Sequence, residues 1–181
     1  GTAGDGTPTT PDESTYGHTA FFGDDGGDDC PSMSTTEYAP SYMANAGSAG
    51  FDGSNDWFSM HTGPSIGSDD NFTLVAWIKW TNGKSTIFFQ GQPEDNHGLV
   101  FGIDLDNPTI YPDRGTLHCG FWDNDLRYDP GDTSLEGAWH HVACVCDHDN
   151  AHARKLYVDG ILVASDYPSS WYAGGGDLWI G

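Results

Sequence analysis

The sequence predicts an all-β chain, an antiparallel β-sandwich with a loop-rich N-terminal third. Three observations lead there. The aromatic share is high, with seven Trp, eight Tyr and nine Phe among 181 residues, and these side chains favour strands. Turn formers are abundant, with 25 Gly and 10 Pro, and they cut the chain into short pieces. Long runs of Ala, Leu, Glu and Lys, which build helices, are missing. A chain of this length supports one packed domain.

Residues 1–48 hold few Leu, Ile or Val and many Gly, Asp, Ser, Thr and Pro. They read as the loop-rich part of the same domain, with about two short strands, TAFF (19–22) being one. The acidic run DDGGDD (24–29) reads as a solvated turn. From Phe51 the pattern changes: AGFDGSNDWFSM (49–60) sets two apolar pieces around a Gly-Ser-Asn-Asp turn. NFTLVAWIKW (71–80) alternates, with Phe72, Leu74, Ala76 and Ile78 on one side and Thr73, Val75, Trp77 and Lys79 on the other. Apolar residues on both sides predict a central strand. STIFFQG (85–91) and HGLVFGIDL (97–105) follow across the polar turn QPEDN, then TLHCGFWD (116–123) and WHHVACVCD (139–147). KLYV and ILVAS flank Asp159-Gly160, a pair suited to the two positive φ angles of a type I′ hairpin. Short strands at this spacing predict a sandwich.

Four of these pieces, FDGSNDWFSM, DNFTLVAWIKW, AWHHVACVCD and KLYVDGILVAS with LWIG, resemble in this order the laminin G-like, concanavalin A-like jelly-roll domains, including their pentraxin-related branch. The resemblance covers residues 49–181, the expected jelly-roll core. DESTYGHTAFFG (12–23) is similar to the Asp-x-Ser-Gly-x-Gly loop after the first strand of such domains. The resemblance also implies an apolar strand ahead of that loop, where only GTAGDGTPTTP stands, and a long last strand after Trp-Ile-Gly, where the sequence stops. Residues 1–181 are therefore expected to need completion, by flanking sequence of the same chain or by a strand exchanged with a neighbouring subunit.

Charge narrows the partners. Six Lys and Arg against 27 Asp and Glu give −21, which repels nucleic acid and anionic lipid. A marine or saline setting would screen this charge, and Ca²⁺ gathered by carboxylates would neutralise part of it. No apolar stretch approaches the ~18 residues of a membrane span, so no membrane insertion is expected. Without an initiator Met or a signal peptide, the sequence reads as a mature or excised segment. Four cysteines, Cys30, Cys119, Cys144 and Cys146, fit an oxidising, extracellular or surface-exposed location and allow three pairings.

The stretch AWHHVACVCDHDNAH (138–152) has the look of a metal site. In a strand, His140, Val142, Cys144, Cys146 and His148 share one face at steps of roughly 6.5–7 Å, too far for an easy Cys144–Cys146 disulfide. A bridge from Cys119 to either, a bridge from Cys30, and free buried thiols all stay open. His148 and His152 have the spacing of a zinc-protease pair, but that motif works on a helix. An acidic turn between strands makes this a solvated hairpin loop, and Zn²⁺ is not expected.

Catalysis is not expected either. Jelly-roll glycosidases carry, on the resemblance, a Glu-x-Asp-x-Glu strand. Only Asp104/Asp106 and Asp123/Asp125 come near it, and both pairs run into turns. The resemblance implies Ca²⁺ on the loops of one rim. Asp52, Asn55 and Asp56 are the expected ligands on one turn, and Glu94, Asp95 and Asn96, beside Gln92, on another. Asp123, Asn124 and Asp125 form a third such turn. A sugar needs a flat aromatic face beside polar groups. Trp122 with Asp123 and Asp125, and Trp171-Tyr172 before a triple-Gly loop, offer this. The expected function is a non-catalytic extracellular binding or adhesion module for a glycan or a protein surface, assisted by Ca²⁺. Its rivals are a structural domain of a filament, virion fibre or envelope, and a polysaccharide hydrolase.

Overall fold

The computed structural model describes residues 9–11, 19–22, 31–34, 36, 47–60, 66–105, 115–122, 124–131, 135–172 and 175–181. Most of the 12–23 loop, DDGGDD, Cys30, Asp106 and Asp123 lie outside the described residues. Fourteen strands run along the described chain. They are β1 (Thr9–Pro11), β2 (Thr19–Phe22), β3 (Ser32–Ser34), β4 (Ser48–Gly50), β5 (Phe58–Met60), β6 (Phe72–Ile78) and β7 (Ser85–Gly91). After these come β8 (Gly98–Leu105), β9 (Gly115–Gly120), β10 (Asp125–Tyr128), β11 (His140–Asp147), β12 (Ala153–Val158), β13 (Ile161–Asp166) and β14 (Leu178–Ile180). No helix occurs among the described residues.

An eight-stranded antiparallel sheet, in the order β1-β2-β5-β14-β7-β8-β9-β10, packs on a four-stranded one, β13-β12-β11-β6, while β3 and β4 pair separately. This is the predicted sandwich, and β2 of the N-terminal third joins the large sheet beside β5. Strand alternation chooses the inner side chains. From the large sheet these are Leu99, Phe101 and Ile103 of β8 with Leu117 and Cys119 of β9. From the small sheet they are Val142, Cys144 and Cys146 of β11 with Leu156 of β12.

β6 corrects one expectation. It is the outer strand of the small sheet, not a central one. Phe72, Leu74, Ala76 and Ile78 do pack on the core, but Val75 and Trp77 on its other side are 61% and 43% exposed. Apolar residues on both sides of a strand do not distinguish edge from centre when the outer ones find cover on a neighbour. Trp77 does so by setting its ring edge-on to His141, 5.4 Å away.

The β12–β13 hairpin forms at the predicted pair, with φ of 50° at Asp159 and 79° at Gly160. Asp159 also binds the neighbouring strand. Its carboxylate accepts the His141 N–H at 2.9 Å and sits 2.8 Å from His140 Nδ1. Partial burial pushes this carboxyl up, but the bonds from His140 and His141 outweigh it and hold the carboxyl below its usual range.

Two links tie the sheets together. Cys119 of β9 is disulfide-bonded to Cys144 of β11, 25 residues away. These strands lie in opposite sheets, so the bond spans the sandwich. Cys146 remains a buried thiol, its Sγ 3.8 Å from that of Cys144. Desolvation pushes it up to about 12. The second link is Arg154 of β12, fully buried. It makes a two-pronged pair with Asp166 (3.0 and 2.6 Å) and lies over the Phe121 ring at 5.0 Å. It also donates to the carbonyl and side-chain oxygens of Asn124, in the β9–β10 turn of the other sheet.

Candidate ligand-binding groove

On β8, β9 and β10 the residues that alternate with the core side chains face the opposite side of the large sheet. Cross-strand registers put Gly102, His118 and Arg127 in one row, Asp104 with Thr116 in the next, and Val100, Gly120 and Asp125 in another. Of these, Val100, Asp104, His118, Asp125 and Arg127 line a groove of about 410 Å³ together with Lys84, Thr86 and Trp122.

The charged side chains of the groove neutralise one another. Arg127 reaches Asp104 at 3.3 Å and Asp125 at 3.0 Å, and Lys84 reaches Asp104 at 2.8 Å. Burial pushes the His118 imidazole down. Arg127 adds to this, and Asp125, Asp104 and a hydrogen bond at the Thr116 backbone oppose it without reversing it. A neutral His118 offers one donor and one acceptor.

Aromatic rings close one end. Trp122 is 40% exposed and meets Phe89 at 6.4 Å, and Phe89 meets Trp179 at 5.5 Å. Glycines make room for this arrangement. A Cβ on Gly98, beside the Phe89 and Trp122 rings, would collide with the Gln92 carbonyl at 2.6 Å, and one on Gly120 would collide with the Asp125 carboxylate. Trp122 itself has φ 59°, and its neighbours hold it there. Phe121 N–H donates to the Asn124 carbonyl at 3.2 Å, and the Phe121 carbonyl accepts from Asn96 N–H at 2.6 Å. The Asn124 side-chain amide is tied to Ser170 at 3.1 Å, and the Ser170 hydroxyl donates to Asn96 at 2.8 Å. Arg154 grips the same Asn124 from the core.

Of the residues expected to contact a sugar, Trp122 and Asp125 line the groove, and Asp123 lies outside the described residues. Trp171 and Tyr172 do not serve as stacking platforms. They are 9% and 0% exposed and pack on Phe121 in the core. Both are large apolar groups, and the triple-Gly sequence after them gives no indication of which way the chain turns them. Asp125 is not in a turn either: it opens β10, a short strand hidden in the sequence behind three turn-forming residues. His118, Asp104, Arg127 and Lys84 were not expected at a binding site. Only the alternation of β8 and β9 signalled that His118 and Asp104 share the side opposite the core.

The expected calcium ligands lie elsewhere. On the first turn, Asp56 Oδ2 accepts the Asp52 N–H and Asp52 Oδ1 accepts the Ser54 N–H, each at 2.8 Å. On the second, Glu94 and Asp95 are exposed and Asn96 Oδ1 takes the Ser170 hydroxyl. Among the described residues, the group of three His, Cys, Asp or Glu ligand atoms close enough for one ion is Cys119, Cys144 and Cys146. Two of its sulfurs are bonded to each other.

The family model described as the concanavalin A-like lectin/glucanases superfamily matches residues 52–181. No curated protein sequence matches the chain. A solved structure it is similar to is a Botulinum Neurotoxin Type G Receptor Binding Domain, at 11% identity and a TM-score of 0.46. That match covers 98% of this chain and 38% of the other, so the chain spans well under half its length.

Proposed function

The chain belongs to the concanavalin A-like lectin/glucanase superfamily, and from that premise we propose that it is a non-catalytic module that binds a neutral glycan in the groove of the large sheet. The observation that carries this reading is the junction of the exposed Trp122 ring with a row of paired donors and acceptors. A sugar presents C–H faces for stacking and hydroxyl groups that both donate and accept. Trp122 and Phe89 suit the first, and Asp104, Asp125, Arg127, Lys84 and His118 suit the second.

Charge favours a neutral ligand. Lys84 and Arg127 are each paired with a carboxylate, and the net charge of −21 repels an acidic polysaccharide. The same pairing disfavours hydrolysis. A glycosidase needs one carboxyl as proton donor and another as nucleophile or base on either side of the bond. Here Asp104 and Asp125 grip a single guanidinium. The inter-sheet disulfide supports an oxidising, extracellular setting, and the charge supports a saline one.

Affinity electrophoresis through gels containing neutral polysaccharides tests this, with calorimetry on the best ligand. Trp122→Ala should weaken binding by about tenfold or more, ~1.4 kcal/mol. Unchanged binding in that variant, or release of reducing ends from the bound polysaccharide, would overturn the reading.

A further inference from the structure

The inter-sheet disulfide has a third sulfur beside it, and the groove makes no use of it. Cys144 and Cys146 occupy successive inward positions of β11, and Cys119 reaches them from β9 in the opposite sheet. The three sulfurs lie within 4.8 Å of one another, and Cys144 Sγ and Cys146 Sγ are 3.8 Å apart. A free cysteine in a core usually packs as a small apolar group. Cys146 instead touches a sulfur that is already bonded.

This spacing suits a single ion. Two sulfurs bound to one metal through bonds of ~2.3 Å stand about 3.8–4.0 Å apart. Cys119 and Cys144 cannot both serve while bonded to each other, so the site belongs to the reduced chain. A dithiol supplies the electron pair. Its thiolate attacks one sulfur, the other leaves as a thiolate, and the second thiol of the dithiol closes its own disulfide and frees both cysteines. Each cysteine then gives up its proton as it binds the ion. Zn²⁺ in a closed site is almost always four-coordinate, and among the described residues no fourth His, Cys, Asp or Glu joins the three sulfurs. Cu⁺ is soft, prefers thiolates and is content with three of them. Three thiolates on Cu⁺ carry two negative charges. The cation at hand is Arg154, fully buried and the cross-strand partner of Cys146, with Asp166 as its other neighbour.

We propose that reduction turns Cys119, Cys144 and Cys146 into a three-sulfur site for Cu⁺, in which an ion replaces the covalent bond as the tie between the two sheets. In an oxidising setting the disulfide persists. The copper form belongs to the chain before oxidation or after contact with a dithiol. The site is separate from the glycan groove and does not depend on it.

The test uses the full chain with Cys30→Ser, because Cys30 is the remaining cysteine and lies outside the described residues. The protein is reduced with a dithiol, desalted under argon and titrated with Cu⁺ against a chromophoric Cu⁺ chelator. One equivalent should pass to the protein with an ultraviolet thiolate-to-copper charge-transfer band, and X-ray absorption should count three sulfurs around each copper. Copper should also raise the melting temperature of the reduced protein, since the ion binds the native state. Cys146→Ser should weaken the transfer by about a hundredfold or more. The oxidised parent should take no copper from the chelator. Two sulfurs per copper in the reduced parent, undiminished affinity in Cys146→Ser, a melt that copper does not raise, or equal uptake by the oxidised chain would each overturn the proposal. If the serine variant does not fold, the sulfur count on the parent decides alone.

Discussion

Removing Asp166 should destabilise the fold more than removing Arg154, although either change deletes the same ion pair. Arg154 has no exposed surface, whereas Asp166 is 35% exposed. In Asp166→Ala the guanidinium stays charged, stays out of water and loses its anion. Breaking a buried pair from one side costs about 3–5 kcal/mol, and the remaining Asn124 oxygens and Phe121 ring place this case near ~3 kcal/mol. In Arg154→Met the charge leaves with the side chain, a flexible apolar chain refills most of the space, and Asp166 turns to water it already touches. The loss is the hydrogen bonds to Asn124, ~1 kcal/mol each, partly offset by the desolvation that is no longer imposed. The Asn124 carbonyl keeps the Phe121 N–H as a partner. About 1 kcal/mol is expected, leaving a gap near ~2 kcal/mol between the variants. Urea unfolding at neutral pH resolves such a gap if the slopes agree. A methionine variant no more stable than the alanine variant would refute the claim that an uncompensated buried charge dominates.

Four further outcomes follow from the packing and the charge. Serine at both Cys119 and Cys144 frees a 25-residue loop and should lower stability by about 3.5 kcal/mol on the chain-entropy relation. In the native wild type, Cys146 should not react with maleimide at pH ~8, since burial pushes its thiol to about 12, and rapid labelling would contradict that burial. For Asp159, the folded carboxyl lies below its ordinary value of 3.8, so its stabilisation is present above that pH and lost as pH falls through the folded value. Asp159→Asn keeps a residue tolerant of positive φ, and its stability deficit, measured by urea melts, should shrink toward pH ~2. Millimolar Ca²⁺ should raise the melting temperature no more than NaCl of matched ionic strength, because screening of the −21 charge acts in both. An excess rise reversed by EDTA would place ion sites at the Asp52–Asp56 or Glu94–Asn96 turns.

What the sequence disclosed was mostly local. Asp159-Gly160 announced its hairpin because the requirement, two positive φ angles, is met by those two residues alone. STIFFQG matched β7 because Gly91 and the polar turn after it mark its end. β10 stayed hidden because Asp123, Asn124 and Asp125 carry turn chemistry, and Leu126 to Tyr128 is too short to show alternation. The groove was less legible than the strands. Asp104 and Asp125 meet through Arg127 only because β9 sits between β8 and β10, a fact of sheet order rather than of spacing. Trp122 was found from its polar neighbours, yet Trp171 and Tyr172 looked similar and are core. Which side of the chain an aromatic faces after a loop depends on contacts distant in sequence. The His148–His152 pair shows the converse: the spacing was visible, but the left-handed turn that brings the two rings together was not.

The glycine seats beneath Asp125 and the Trp122 ring have a consequence for how this site can be lost. Substituting any residue that would touch a ligand removes one contact among several. A single methyl at Gly120 displaces the Asp125 carboxylate, and one at Gly98 drives into the Gln92 carbonyl of the loop that borders Phe89 and Trp122. Neither glycine lines the groove. The groove can therefore be silenced by the smallest substitution available, at positions with no chemistry of their own. A related chain that keeps every acid, base and tryptophan but carries alanine at these two places should be read as a scaffold that has given up its ligand.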